Sequence, residues 1–282
     1  MEGGFVDRYS QSFERVREGP MDPGTEIWAD RALLRRVQYR TDENLSARQA
    51  IYAYQEPRID LPAVVLDIVL GSGGAPPGGL VADVGCGNGA YLAELAAREV
   101  ACRVIGMDLS PGMLAAAAAR GAGACALVNA DATALPLGSG SVDLTLAMHM
   151  LYHVPEPLDA VRELRRVTRA GGTVVVGLNG ADHQEALRSA LTAIGFSKPG
   201  ERLRLDEGEA LVRGLFTSVT RHDFTAPLFP PPAAVAAYVR SLPEVQRLPD
   251  PELLVSRVLS VLFPNGRDGL PVTSHSGILV CA

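Results

Sequence analysis

From Leu80 to Leu92 the chain reads L-V-A-D-V-G-C-G-N-G-A-Y-L, and after a short intervening stretch Cys102 to Asp108 reads C-R-V-I-G-M-D. Leu80 to Val84 is an apolar run broken only by Asp83, the pattern of a strand buried on both faces of a parallel sheet. Gly85, Gly87 and Gly89 follow at alternate positions. Without Cβ atoms the backbone there is free to turn sharply and to lie against a ligand. A helix is expected from near Asn88, with Tyr91, Leu92, Leu95 and Ala96 on one side. The second apolar run, Val104 to Met107, ends in Asp108. Together these make the first βαβ unit of a doubly wound sheet, in which ligands bind beyond the carboxyl ends of the strands.

Spacing narrows the ligand. Dinucleotide loops carry G-x-G-x-x-G and set a pyrophosphate on the helix N-terminus, whereas this loop is G-x-G-x-G. Asp83, two residues before the first glycine, repels such an anion and suits a ligand with an ammonium group and a sulfonium centre. Asp108, at a strand end, is placed to accept hydrogen bonds from both hydroxyls of a ribose. The loop spacing therefore counts against an NAD(P)-dependent oxidoreductase.

Working outward, Ser110 caps a helix with Pro111 in its first turn, and an alanine run carries it to Arg120 before Gly121 and Gly123. Strands are expected at Cys125–Asn129 and Val142–Met148. The helix from Pro157 to Thr168 aligns Leu158, Val161, Leu164 and Val167, and Ala170-Gly171-Gly172 turns into a fifth strand, Thr173–Leu178. Helices at His183–Ile194 and Glu207–Leu215 precede a sixth strand, Thr217–Phe224. Two helical patterns between Ala233 and Phe263 lead to a closing strand, Val272–Cys281. Upstream, Phe5, Tyr9, Phe13 and Val16 stand at helical spacing, and G-P-M-D-P-G separates them from an amphipathic stretch over Ile27–Val37. A further helix opens at Asp42 or Asn44 and closes before Pro57, and another covers Leu61–Leu70.

The expected fold is therefore α/β: a doubly wound, mostly parallel seven-stranded sheet with its last strand antiparallel. N-terminal helices over 1–78 and a helical insertion over 230–268 form a lid on a core made of 79–229 and 269–282.

Four motifs occur in order: D-V-G-C-G-N-G from Asp83, the strand-ending Asp108, N-A-D-A-T-A-L-P-L from Asn129, and S-V-D-L-T-L-A-M-H-M-L-Y-H-V from Ser141 followed by L-R-R-V-T-R-A-G-G-T from Leu164. Over Leu80–Leu178 the chain resembles the class I, Rossmann-like methyltransferases that use S-adenosylmethionine. The resemblance implies S-adenosylmethionine as cofactor and S-adenosylhomocysteine as product. It implies a binding site made of Asp83, Gly85, Cys86, Gly87, Asn88, Asp108, Leu109, Met113, Asp131, Ala132 and Met148. Asp131 matches the acid that accepts from the adenine amino group, and the Ala132 amide matches the one that reads the neighbouring ring nitrogen.

Two roles are open to Asp83: holding the glycine loop through backbone amides, or touching the ligand. Asp131 is also suited to an Asx turn, Asp143 reads as structural, and Cys86 is assigned no chemistry. His153, Tyr152 and His149 follow the strand end that faces the cleft, so His153 or His149 is the expected base, with Tyr152 orienting His153 or the acceptor. A histidine near its ordinary pKa of about 6.5 is half ready to take a proton at neutral pH. His183, His222 and His275 are expected on the surface.

The formal charge of −6, with Lys198 as the single lysine, argues against a polyanion-binding surface. A small-molecule acceptor is therefore expected rather than nucleic acid, its methylated atom an oxygen, a nitrogen or an electron-rich aromatic carbon such as that of an indole. Layout alone suggests bacterial secondary metabolism. The rivals are an RNA or protein methyltransferase and a non-catalytic S-adenosylmethionine-binding protein. Cys86, Cys102, Cys125 and Cys281 form no C-x-x-C pair, and no His/Cys spacing suits a metal, so no metal and a reducing cytoplasm are expected. The opening M-E-G-G-F-V-D-R-Y-S has no signal-peptide pattern, and no apolar run is long enough to span a bilayer.

Overall fold

A computed structural model describes residues 27–71, 73–122, 125–196, 203–265 and 271–282. The expected helix over 5–18, the G-P-M-D-P-G break and Gly123 lie outside the described residues. Seven strands form one sheet: β1 (Leu80–Val84), β2 (Arg103–Asp108), β3 (Ala126–Asn129), β4 (Val142–Met148), β5 (Thr168–Asn179), β6 (Val219–Leu228) and β7 (Val272–Cys281). Their order is β3-β2-β1-β4-β5-β7-β6. β1 to β5 pair in parallel, and β7 runs antiparallel to both β5 and β6. After β3 the chain crosses back to place β4 on the other side of β1. That reversal opens a crevice at the carboxyl ends of β1 and β4.

Both faces of the sheet centre are covered, which is why β1, β4 and the second half of β5 are mostly apolar. Along β5, Val174, Val176 and Leu178 pack with Leu164 and Val167 of the Pro157–Val167 helix and with Leu205 and Val212 of the Leu205–Arg213 helix. Val175, between them, points to the other face and joins Val65, Leu66 and Val69 of the Leu61–Gly71 helix and Leu95 of the Ala90–Ala97 helix. Each such side chain contributes about 1.5–3 kcal/mol through burial.

Several boundaries differ from the sequence expectation for identifiable reasons. β5 begins at Thr168 instead of Thr173 because Thr168 already pairs with Val142, its hydroxyl 2.7 Å from that of Thr145. The intervening Ala170-Gly171-Gly172 is a bulge within the strand, with Gly171 at φ 70°. β6 runs on through Pro227 to Leu228, since an edge strand tolerates proline. Ile27–Val37 is not one amphipathic helix. It is a 3-10 turn (Ile27–Ala29), a short α turn (Arg31–Leu33) capped by Asp30, and a π turn (Leu34–Gln38). The next helix, Glu43–Ala50, continues as a 3-10 turn over Ile51–Tyr54.

Helices Pro232–Arg240, Pro243–Gln246 and Pro251–Leu262 share a second core with the Glu185–Ala193 helix, Ile51 and Tyr52. This segment therefore braces the N-terminal helices from behind.

Candidate functional site

A cavity of about 630 Å³ opens at the carboxyl ends of β1, β2 and β4. It is lined from the sheet side by Asp83, Gly85, Cys86, Gly87, Asn88, Asp108, Leu109, Met113, Asp131, Ala132, Met148, His149, Tyr152 and His153. The structure thus brings every sequence-derived candidate to one space.

At one end the glycine loop turns with Gly85, Gly87 and Gly89 at φ 69°, 54° and 79°. A Cβ on Gly85 would stand 2.7 Å from Met150, so this position admits only glycine without rearrangement. The loop is held by Asp108, whose Oδ2 accepts from the Gly87 amide at 2.9 Å while Oδ1 accepts from the Ser110 amide at 2.8 Å. Gly85 and Cys86 amides both donate to the Met107 carbonyl. Asp83 takes no part in this scaffold. It is 1 % exposed, and both its carboxylate oxygens lack a hydrogen-bond partner. Burial, reinforced by the Asp108 charge, pushes its pKa up to about 7. A buried acid with nothing to accept from is poised for a cationic partner. Asp131, the acid matched to the adenine amino group, forms an Asx turn through Thr133, and its Oδ2 pairs with Arg31 at 2.8 Å. Asn88 and Ala132 also line the cavity, and Cys86 is a buried thiol whose pKa burial drives far upward, in keeping with its having no chemistry.

The segment from Trp28 to Tyr52 closes the cavity over the loop. The Asn88 amide donates to Gln49 Oε1 at 3.0 Å, Leu45 packs on Gly87, and Ser110 Oγ donates to the Tyr39 carbonyl at 2.6 Å. Leu45, Arg48, Gln49 and Tyr52 all face the cavity. Their i, i+3, i+4, i+7 spacing marks one helical face, a signal present in the sequence but not used.

His153 lines the same cavity. Its Nδ1 lies 2.9 Å from the Trp28 carbonyl oxygen and its Nε2 2.9 Å from Tyr39 Oη. A carbonyl only accepts, so Nδ1 carries the proton, Nε2 is bare, and the Tyr39 hydroxyl donates to it. Burial lowers the His153 pKa to about 4, with the Arg48 charge acting the same way, so the expectation of a near-ordinary value is corrected. The hydroxyl at Nε2 is that of Tyr39, not Tyr152. Tyr152 instead sets its ring edge-on to the imidazole, centroids 4.5 Å apart. Burial likewise raises the Tyr39 pKa. His149 holds a left-handed backbone, φ 53°, and burial lowers its pKa to about 4.

His183 is not on the surface. It is 6 % exposed and lines the cavity, its Nε2 3.2 Å from Tyr52 Oη and its Nδ1 accepting from the His275 amide at 3.1 Å. His275 is largely covered, between Asp182 and Asp223. Asp143 is structural as expected, accepting from the Leu80 amide and pairing with Arg169. Among the described residues no three His, Cys, Asp or Glu side chains come together as metal ligands, and no helix is long and apolar enough to cross a membrane.

Residues 82–176 match the family described as a methyltransferase domain. An uncharacterized methyltransferase of Mycobacterium leprae is 36 % identical over 159 residues, 54 % of this chain and 57 % of that protein. The ubiquinone biosynthesis O-methyltransferase of Sodalis glossinidius is 38 % identical over 113 residues, 39 % of this chain and 45 % of that one. The matched segments thus span about half the length of these curated relatives. Among solved structures, Haemonchus contortus phosphoethanolamine N-methyltransferase 2 in complex with S-adenosyl-L-methionine aligns with a TM-score of 0.56 at 20 % identity, over 93 % of this chain and 61 % of that chain. At that identity the likeness is one of fold.

Proposed function

We propose that this protein, whose residues 82–176 match a methyltransferase domain, transfers a methyl group from S-adenosylmethionine to a small-molecule acceptor held in the same cavity. The observation that carries the reading is the cavity itself. It holds an unpartnered buried carboxylate, a glycine loop and a tyrosine–histidine pair in one space.

The residues fit the cofactor. Asp83 would take its ammonium group, the Cβ-free loop would let it lie close, and Asp108 would take the ribose hydroxyls with its remaining lone pairs. Bound there, S-adenosylmethionine supplies an electrophilic methyl group on a sulfonium. Residues 27–54 act as a lid that keeps water out and fixes the acceptor, and positioning of this kind supplies much of the rate in an in-line displacement.

Where the acceptor must lose a proton, Tyr39 and His153 provide the route. Tyr39 Oη receives the proton of the acceptor's O–H or N–H as its own passes to His153 Nε2, and the Trp28 carbonyl holds the imidazole in the tautomer this requires. His149 lines the cavity next to Met148 and borders the reacting groups. Confinement of the acceptor end, with Trp28, Tyr39 and Tyr52 around it, favours a small molecule over RNA or protein.

The test is calorimetry with S-adenosylmethionine and NADH, followed by a screen of phenols, amines and indoles for formation of S-adenosylhomocysteine. Binding of S-adenosylmethionine with turnover on one of these classes is expected. Binding of NADH instead, or methylation only of RNA or protein, would overturn the reading.

A further inference from the structure

Among the described residues that line the cavity, Arg48 is a partly buried cation with no carboxylate within ion-pair distance. Arg48 projects from the Glu43–Ala50 helix between two rings, its guanidinium carbon 5.4 Å from the Trp28 ring centre and 5.5 Å from that of Tyr39. Nη1 donates to the Ser241 carbonyl at 2.8 Å and to Gln38 Oε1 at 3.3 Å. Nη2 is buried with no acceptor. Among the described residues, Arg31, Arg98, Arg166, Arg169 and Arg240 each have a carboxylate within ion-pair distance, and Arg48 has none. Arg35 and Arg58 also reach the cavity, but they stand exposed at its rim.

Arginine does not shed its proton to escape burial, so the charge persists. The faces of Trp28 and Tyr39 offset part of it. The acids that line the cavity are occupied elsewhere: Asp108 on the Gly87 and Ser110 amides, Asp131 on Arg31, Asp60 on the Ala63 amide; the buried Glu244, behind Trp28, accepts from the indole Nε1. Asp83 stands at the cofactor end. A partly buried cation whose Nη2 has no acceptor is costly, and a bound anion removes that cost.

We propose that Arg48 anchors an anionic group, a carboxylate or phosphate, on the methyl acceptor. The inference rests on the methyl-transfer reading above and deepens it by naming the acceptor's class. Because Tyr39 adjoins both Arg48 and His153, an anion on Arg48 fixes the acceptor beside the hydroxyl that takes its proton.

The probes are benzoate, phenyl phosphate and the neutral benzamide, titrated by calorimetry into the protein saturated with S-adenosylhomocysteine. One or both anions should bind roughly 10- to 100-fold tighter than benzamide, the range a charge-assisted hydrogen bond provides. The stronger of the two identifies carboxylate or phosphate as the natural group. Arg48→Gln should abolish the preference, and Arg48→Lys should retain part of it. S-adenosylhomocysteine affinity within a few-fold of wild type shows that both variants are folded. Equal binding of anions and benzamide, binding of none of the three, or a preference that survives Arg48→Gln overturns the inference. Failure to bind S-adenosylhomocysteine at all would instead strike at the proposed function.

Discussion

Tyr39 Oη and His153 Nε2 lie 2.9 Å apart although 114 residues separate them in the chain. The contact joins the end of the Leu34–Gln38 turn to the 3-10 turn that follows β4, so under the proposed mechanism a change at either residue breaks the same proton route. Tyr39→Phe removes the donor and leaves a buried imidazole nitrogen bare, which should cost about 1–3 kcal/mol of stability. Turnover should fall by about 10²–10⁴ with S-adenosylmethionine affinity within a few-fold, and His153→Ala should match it. Binding and single-turnover rates measured separately check this. Wild-type turnover in a folded Tyr39→Phe protein would return the pair to a structural role.

The same burial sets a pH expectation. His153 and His149 have their pKa values lowered to about 4. Each therefore binds fewer protons in the folded state than in the unfolded state between about pH 4 and pH 6.5. Their contribution to stability is fully present above about pH 6.5 and is lost as pH falls toward 4. The acid limb of turnover should accordingly lie near pH 4, not near 6.5. A rate profile from pH 4 to 8, with urea unfolding at the same points, checks both statements. A limb at pH 6.5 that disappears in His153→Ala would show the imidazole to be solvated.

Asp108 now has two tasks, since it holds the Gly87 and Ser110 amides as well as facing the cavity. Asp108→Ala should cost about 2–4 kcal/mol of cofactor affinity, roughly 30- to 1000-fold in Kd. Asp108→Asn keeps an acceptor oxygen for one amide and should lose less. An unchanged Kd in folded Asp108→Ala would mean that the ribose lies elsewhere.

The sheet centre was legible because β1, β2 and β4 are short apolar runs closed by a turn, and a parallel sheet buried on both faces leaves little else for such runs to do. The far edges of the sheet were less so. β5 starts early and β6 runs late because strand pairing overrode the local signals of Gly171 and Pro227. At the site, the positions on β1, β2 and β4 followed from where parallel strands end. Tyr39, Arg48, Tyr52 and His183 did not, since their place depends on how helices from both ends of the chain fold back over the crevice. His183 reads as a surface residue at a helix start, yet the His275 amide holds it against the cavity. Only the spacing of Leu45, Arg48, Gln49 and Tyr52 carried that information in the sequence.

Asp83 supports the most direct test of the cofactor end. Its folded pKa of about 7 stands above the unfolded value near 3.8, so the stability it contributes is fully present below about pH 4 and is lost as pH rises through 7. Without ligand, the melting temperature should therefore fall between pH 6.5 and 8, a window above that of the two lowered histidines. A cationic ammonium beside the carboxylate reverses the preference, because an opposite charge favours the ionised form. Saturating S-adenosylmethionine should flatten the decline, and its binding at pH 6.5 should release up to about one proton per site. Calorimetry in two buffers of different ionisation enthalpy reads that proton directly. Asp83→Asn should abolish the release and weaken binding, while leaving the Asp108-held loop in place. A binding enthalpy independent of buffer in the wild-type protein would show that Asp83 is already ionised, or that the ammonium group lies elsewhere.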